Sequence, residues 1–231
     1  MGGWSSFARD LTEQMPLILT GLVKTLQLAG LISVSGLLLG IVVFYLTLNK
    51  NKYVRSAINS YISFFIGMPL IVLLFLMYYG LPQWGVRLSP FTVAFIGFTF
   101  NVAAYNAAYL KTAFNGLDQS QLEAASAQGF SPLQIFRLIT LPQVIRLSIP
   151  ALTNQVIANL KDSSVAFLIQ YTEFFARVQE LAATNFQFFK AYFLAALVYL
   201  ALVSIIVLFA RAIERRYLIP AWYPDSNQSW W

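Results

Sequence analysis

Near residue 160 the chain reads "NQVIANLKDSS", a polar interruption inside an otherwise oily stretch. Gln155, Asn159 and Asp162 follow one another at spacings of four and three, so on a helix they share one stripe. Lys161 is adjacent to Asp162, and adjacent helical residues do not face each other, so the two need not pair. In a membrane such a stripe is costly unless it meets a neighbouring helix or water. Two readings follow. The stripe lines a path that holds the charged ends or polar side chain of a small zwitterion, or it is a buried anchor bonded to the next helix. A second interruption, Gly67-Met68-Pro69, breaks another apolar run. Proline removes a backbone donor and leaves carbonyls free. Broken helices at membrane depth commonly line ligand sites, and a kink absorbed by packing is the plainer alternative. Gly36 and Gly40 form a small-xxx-small pair, which implies close helix packing and no ligand role.

The composition removes other chemistries. With no Cys and no His, the chain has no disulfide, no thiolate or imidazole metal site and no His-based acid–base catalysis. Its carboxylates are scattered, so no nucleophile–base set is visible. It has no G-x-x-x-x-G-K-[ST] loop to cradle phosphates, so it is not itself an ATPase. The net charge of +6 is spread singly rather than along a basic stripe, which argues against nucleic acid.

What positions these residues is a membrane. Of 231 residues 58% are apolar and only 10% charged, against about 25% charged in a soluble domain. A spanning helix needs about 20 apolar residues. Five segments qualify, near 22–48, 57–79, 90–110, 147–169 and 189–212. All are expected as helices, because a lone strand leaves its backbone unpaired in lipid. The single domain 1–231 is therefore read as an all-α integral membrane protein. The start, "MGGWSSFARDLTEQMPLI", has no basic-then-apolar leader pattern, so no removable signal is expected. Lys50, Lys52, Arg55, Lys111, Arg137, Arg146, Arg211, Arg215 and Arg216 fall on one side. Arg9, Arg87, Arg177 and Lys190 fall on the other, with Lys24 at its edge. The richer side is cytoplasmic by the positive-inside bias, which puts the N-terminus outside and the C-terminus inside. Tyr78, Tyr79 and Trp84 suit an outer aromatic belt, Tyr217 and Trp222 an inner one.

The loop near 113–146 then lies in the cytoplasm, and it reads as an elbow. Asp118 or Ser120 caps a helix that runs through Glu123-Ala124-Ala125. Gly129 permits a sharp turn. Ser131-Pro132 starts a second helix, with Leu133, Phe136 and Ile139 or Thr140 on one stripe. Pro142 is expected to end it at Leu141. The apolar ridge suits a partner's groove, or alternatively rests on lipid headgroups.

The spacing Glu123-Ala124-Ala125, Gly129, Ile139, Leu141-Pro142 resembles the EAA loop of permease subunits of ATP-binding-cassette importers. The likeness extends over nearly the whole chain and points to the polar amino acid branch (histidine, glutamine, glutamate and cystine-type permeases). It rests on "TGLVKTLQLA" at 20–29, "GMPLIVLLFLMYYGLP" at 67–82, "AAYNAAYLKTAFNGLDQSQLEAASAQG" at 103–129 and "NLKDSSVAFLI" at 159–169. That branch commonly has Arg-Gly-Thr-Pro where this chain has Ile66-Gly67-Met68-Pro69. It commonly has Ala-Tyr-x-Ala-Glu, then Arg, where this chain has Ala104-Tyr105-Asn106-Ala107-Ala108, then Lys111. The lost charges suit one half of a heterodimer.

The resemblance implies a type I importer permease fold in the cytoplasmic (inner) membrane of a bacterium. Its implied partners are a second permease subunit, two cytoplasmic ATPase subunits that hold ATP and Mg, and an external amino-acid-binding protein. Glu123, Ala124, Ala125, Gly129, Phe136, Ile139, Leu141 and Pro142 would couple to the ATPases. Gly67, Met68, Pro69, Tyr105, Asn106, Gln155, Asn159, Lys161 and Asp162 would line the substrate pathway. The rival substrates are methionine, an opine or an osmolyte, and the rival role is a non-transporting membrane regulator.

Overall fold

A computed structural model describes residues 3–217, and these are helical almost throughout. The helices are α1 (Trp4–Thr47), α2 (Lys52–Gly67), α3 (Leu70–Phe75), α4 (Pro90–Asn115), α5 (Ser120–Ala127), α6 (Pro132–Ile135), α7 (Leu141–Asp162), α8 (Phe174–Asn185) and α9 (Phe188–Tyr217). Short π or 3-10 turns extend α3, join α6 to α7, and carry α7 on to Ile169. Among the described residues four helical stretches, Trp4–Thr47, Pro90–Asn115, Pro132–Ile169 and Phe188–Ala212, are long and apolar enough to cross a bilayer, and the bent pair α2 and α3 with its extension is a fifth where the pair counts as one span. Trp222 of the expected inner belt lies outside the described residues.

Three boundaries differ from the sequence reading, each for a physical reason. The first helix starts at Trp4, not near 22. Its polar opening turns are held by tertiary contacts, with Phe7 and Ile18 packed among Phe174, Val178, Leu181, Ala191 and Ala195. The second span is two helices bent by 99° at the break before Leu70. Pro142 does not stop the chain. It sits in the first turn of α7, where a missing N–H removes no intrahelical bond, and the wide π turn Phe136–Thr140 leads into it.

The frame is α1 laid along α4. A Cβ on Gly36 would stand 2.5 Å from Val102 Cγ1, and one on Gly40 would stand 2.8 Å from Asn106 Cβ and 3.2 Å from Ala103 O. Only glycine allows this approach, as the small-xxx-small pair implied. Ser35 and Thr99 hydroxyls hydrogen-bond across the same seam at 2.8 Å. Leu28, Ile32, Leu74, Val93, Phe98 and Ile169 form the central core. Along α9, Leu197, Leu200, Ile205, Leu208 and Phe209 stay exposed, the surface expected of a helix whose solvent is lipid.

Candidate functional site

The break in α2–α3 opens a cavity of about 470 Å³. Ile66, Gly67, Met68, Pro69 and Leu70 form its rim, α4 contributes Asn101, Tyr105 and Tyr109, and α7 contributes Gln155, Ala158 and Asp162. The polar equipment is two phenols, two amides and one carboxylate. Asp162 is the one charged side chain in this lining. A cavity so equipped accepts hydrogen bonds readily and places its single charge where an ammonium group would be welcome.

Six of the nine residues expected on the pathway therefore meet around one space: Gly67, Met68, Pro69, Tyr105, Gln155 and Asp162. The other three sit elsewhere. Asn106 is buried against Gly40 of α1. Asn159 is buried behind Gln155, accepting from Gln155 Nε2 at 2.9 Å and donating to Ser33 Oγ at 2.9 Å. It thus takes the anchoring role, tying α7 to α1. Lys161 is exposed and outside the cavity lining, as the angular step between adjacent helical residues requires. Tyr109 Oη reaches Gln155 Oε1 at 3.5 Å, so the cavity wall is the end of a polar chain that runs back to α1.

The elbow forms by local rules. Asp118 Oδ1 accepts from the Ser120 N–H at 2.9 Å, and that bond holds its carboxyl below the usual carboxylate range. α5 ends where Gly129 adopts φ +85. The Phe130 N–H donates to Ala125 O and the Gly129 N–H to Ser126 O, a paired closure typical of a left-handed helix end. Ser131 then caps α6 in a reciprocal box, Ser131 Oγ accepting from the Gln134 N–H and Gln134 Oε1 from the Ser131 N–H. Gln121 and Gln143 amides bond each other at 3.0 Å, closing the elbow against the first turns of α7.

The expected ridge divides in two. Phe136 is turned inward, 5.8 Å from the Phe44 ring and 4.6 Å from the Tyr45 ring, and Thr140 is buried with it. A π turn begins at Phe136 and carries the chain on to Thr140. The outward apolar side chains are Phe130, Leu133 and Leu138, the last 64% exposed. Glu123, Ala124 and Pro142 are also exposed, Ile139 and Leu141 are half-buried, and Ala125 is buried. Phe136 therefore fixes the elbow to the end of α1, and its neighbours present the surface.

Two polar groups escaped the sequence reading, Asn101 in the cavity lining and a buried acid. Glu173 is 0% exposed, at the start of α8 in the connection after α7. Its carboxylate accepts from Thr25 Oγ1 at 2.9 Å and from the Phe175 and Ala176 N–H groups at 2.8 Å each. Burial pushes its pKa up to about 7, against the opposing pull of those donors. The signal available was Thr172-Glu173 just ahead of an apolar helix, a cap position. Nothing local marks Thr25 as its partner, 148 residues away.

With this geometry in hand, the likenesses to known proteins are specific. Residues 15–219 match the family described as binding-protein-dependent transport system inner membrane component. The probable amino-acid ABC transporter permease protein YckA of Bacillus subtilis is 34% identical over 205 residues, covering 89% of this chain and 91% of its own. The L-cystine transport system permease protein TcyB of the same organism is 32% identical, covering 90% of each. A crystal structure of an amino acid ABC transporter with histidines superposes with a TM-score of 0.81 at 28% identity, covering 89% of this chain and 96% of its own. The inward-facing MetNI methionine ABC transporter shares the fold, with a TM-score of 0.73 at 18% identity over 90% of this chain and 99% of its own. By the family match and by these relatives, the chain belongs to the binding-protein-dependent transport system inner membrane components.

Proposed function

We propose that this chain is the membrane permease of an ATP-driven importer for polar amino acids. Two permease subunits, identical or not, would enclose a path, with two ATPase subunits beneath the elbow and an amino-acid-binding protein at the opposite face. The elbow would lie on the cytoplasmic side of a bacterial inner membrane. ATP and Mg would be held by the ATPases, and this chain would supply no hydrolytic chemistry. The observation that carries the reading is the pairing of two devices in one family member. One is a rigidly turned elbow that presents Phe130, Leu133 and Leu138; the other is a polar cavity at a broken helix. The first is a handle for a moving partner, and the second is a resting place for a small polar solute. ATP binding would draw the ATPases together and move the elbows, turning the path outward; hydrolysis would reset it. The relatives named for amino acids, L-cystine among them, support the substrate class. So does the acceptor-rich lining around Asp162.

The test is uptake of radiolabelled amino acids by vesicles that hold this chain with its co-purifying ATPase and binding protein, wild type beside Asp162→Asn. ATP-dependent accumulation with altered selectivity in the variant supports both class and cavity. No accumulation and no co-purifying ATPase would favour a regulator.

A further inference from the structure

The cavity depends on a break in a membrane helix, and a break leaves backbone groups without partners. Met68 is extended and Pro69 has no N–H, so the Phe65 carbonyl, four residues before the proline, lacks the donor that a continuous helix would give it. The replacement comes from another helix. Asn101 Nδ2 of α4 donates to Phe65 O at 2.9 Å. One residue before Asn101 the exchange runs the other way: Tyr61 Oη of α2 donates to Phe100 O at 2.7 Å. The Phe65 and Phe100 rings themselves stack, centroids 5.8 Å apart. Each helix therefore satisfies a carbonyl of the other with a side chain, one turn apart.

We infer that Asn101 is a positioning residue: its amide stands in for the proton that Pro69 lacks and holds the broken end of α2 as a wall of the cavity. The inference rests on the transport reading for its consequence, though not for its chemistry. Asn101 is itself buried and at the cavity edge. Its nitrogen is committed to the carbonyl, which leaves its oxygen as an acceptor. Without the amide, Phe65 O is an orphan, and the end of α2 gains an incentive to move until it finds a donor. The rim residues Ile66 to Met68 follow it.

The experiment is a double-mutant cycle on the full transport complex, using Asn101→Leu, Pro69→Ala and the pair. Leucine keeps roughly the shape of asparagine and removes the donor. Alanine at 69 restores an N–H four residues after Phe65. Thermal unfolding of the complex is read first. Asn101→Leu should lower Tm by about 2–6 °C beside Pro69, the scale of one orphaned buried hydrogen bond in a protein of this size. In the Pro69→Ala background the same change should cost less, because without the proline α2 can run on through residue 69 and give the carbonyl its own donor. In vesicles, Asn101→Leu should raise the apparent KM for uptake more than it lowers the maximal rate, about tenfold against less than twofold. An equal loss of Tm in both backgrounds, or none in either, overturns the inference. So does a fall in maximal rate at unchanged KM, which is what loose packing alone gives. If the wild type moves no solute, the transport reading fails while the Tm cycle still decides the role of Asn101.

Discussion

The elbow and the packed seam between α1 and α4 solve opposite problems. In the elbow each turn is set by residues within six positions of one another. Gly129 bends the chain, Ser131 and Gln134 cap the next helix, and Phe130, Leu133 and Leu138 are left exposed. In the seam the partners are far apart in sequence. Gly36 faces Val102 and Gly40 faces Asn106, Ser35 meets Thr99, and further along α1 Thr25 meets Glu173. The elbow, the surface proposed to meet a partner, is shaped by local rules and tied to the rest of the chain at a few points, Phe136 against Phe44 and Tyr45 and Gln121 against Gln143. A frame that must hold a cavity is fixed by contacts from several helices at once.

That contrast can be broken by substitution. The largest loss is expected in the seam. Gly40→Leu puts a side chain where a Cβ already stands 2.8 Å from Asn106 Cβ, and overpacking of this kind costs about 3 kcal/mol or more. The thermal stability of the purified chain should drop accordingly, with Gly40→Ala intermediate. If Gly40→Leu melts like wild type, the helices are not held by close approach.

Next in size is the pH response of Glu173. Its folded-state pKa of about 7 lies above the ordinary 4.5, so the fold favours the protonated acid. Its contribution to stability is present below about 4.5 and is lost as pH rises through about 7. The slope reaches about 1.4 kcal/mol per pH unit at most. Melting temperature should therefore fall as pH rises from 5 to 7, and Glu173→Gln should flatten that dependence. A profile identical in the two proteins would remove Glu173 from the account.

The smallest change in stability belongs to the elbow. Gly129 has φ +85 and open space around its Cβ position, so Gly129→Val is resisted by backbone strain alone, about 1–3 kcal/mol confined to the turn. The spans should melt almost as in wild type, while uptake falls and ATP hydrolysis continues. Normal uptake would deny the elbow the proposed role of a lever. Wholesale unfolding would erase the distinction between the two regions.

How much of this could be read from residues follows the same division. Gly129, Ser131 and Pro132 were legible because capping and turn chemistry act over a few positions. The break at Gly67-Met68-Pro69 was legible for the same reason, though its 99° bend was not. Asp162 and Gln155 were placed on a common stripe, and they do share the cavity. Asn159 is on that stripe too, yet Ser33 of α1 claims it. Phe136 lies on the periodic ridge, yet it packs inward onto Phe44 and Tyr45, partners about 90 residues away. Asn101 and Glu173 carry no local sign, because each answers a need created by a distant residue.

By itself the sequence determined that the protein lives in lipid, where its helices break and turn, and which polar residues interrupt the oil. Apolar length and backbone chemistry decide those things within a few residues. Only the tertiary structure decided which polar groups face a cavity and which face a neighbour. In a membrane every buried polar atom must find a partner inside the protein, and the nearest one in space is seldom the nearest one along the chain.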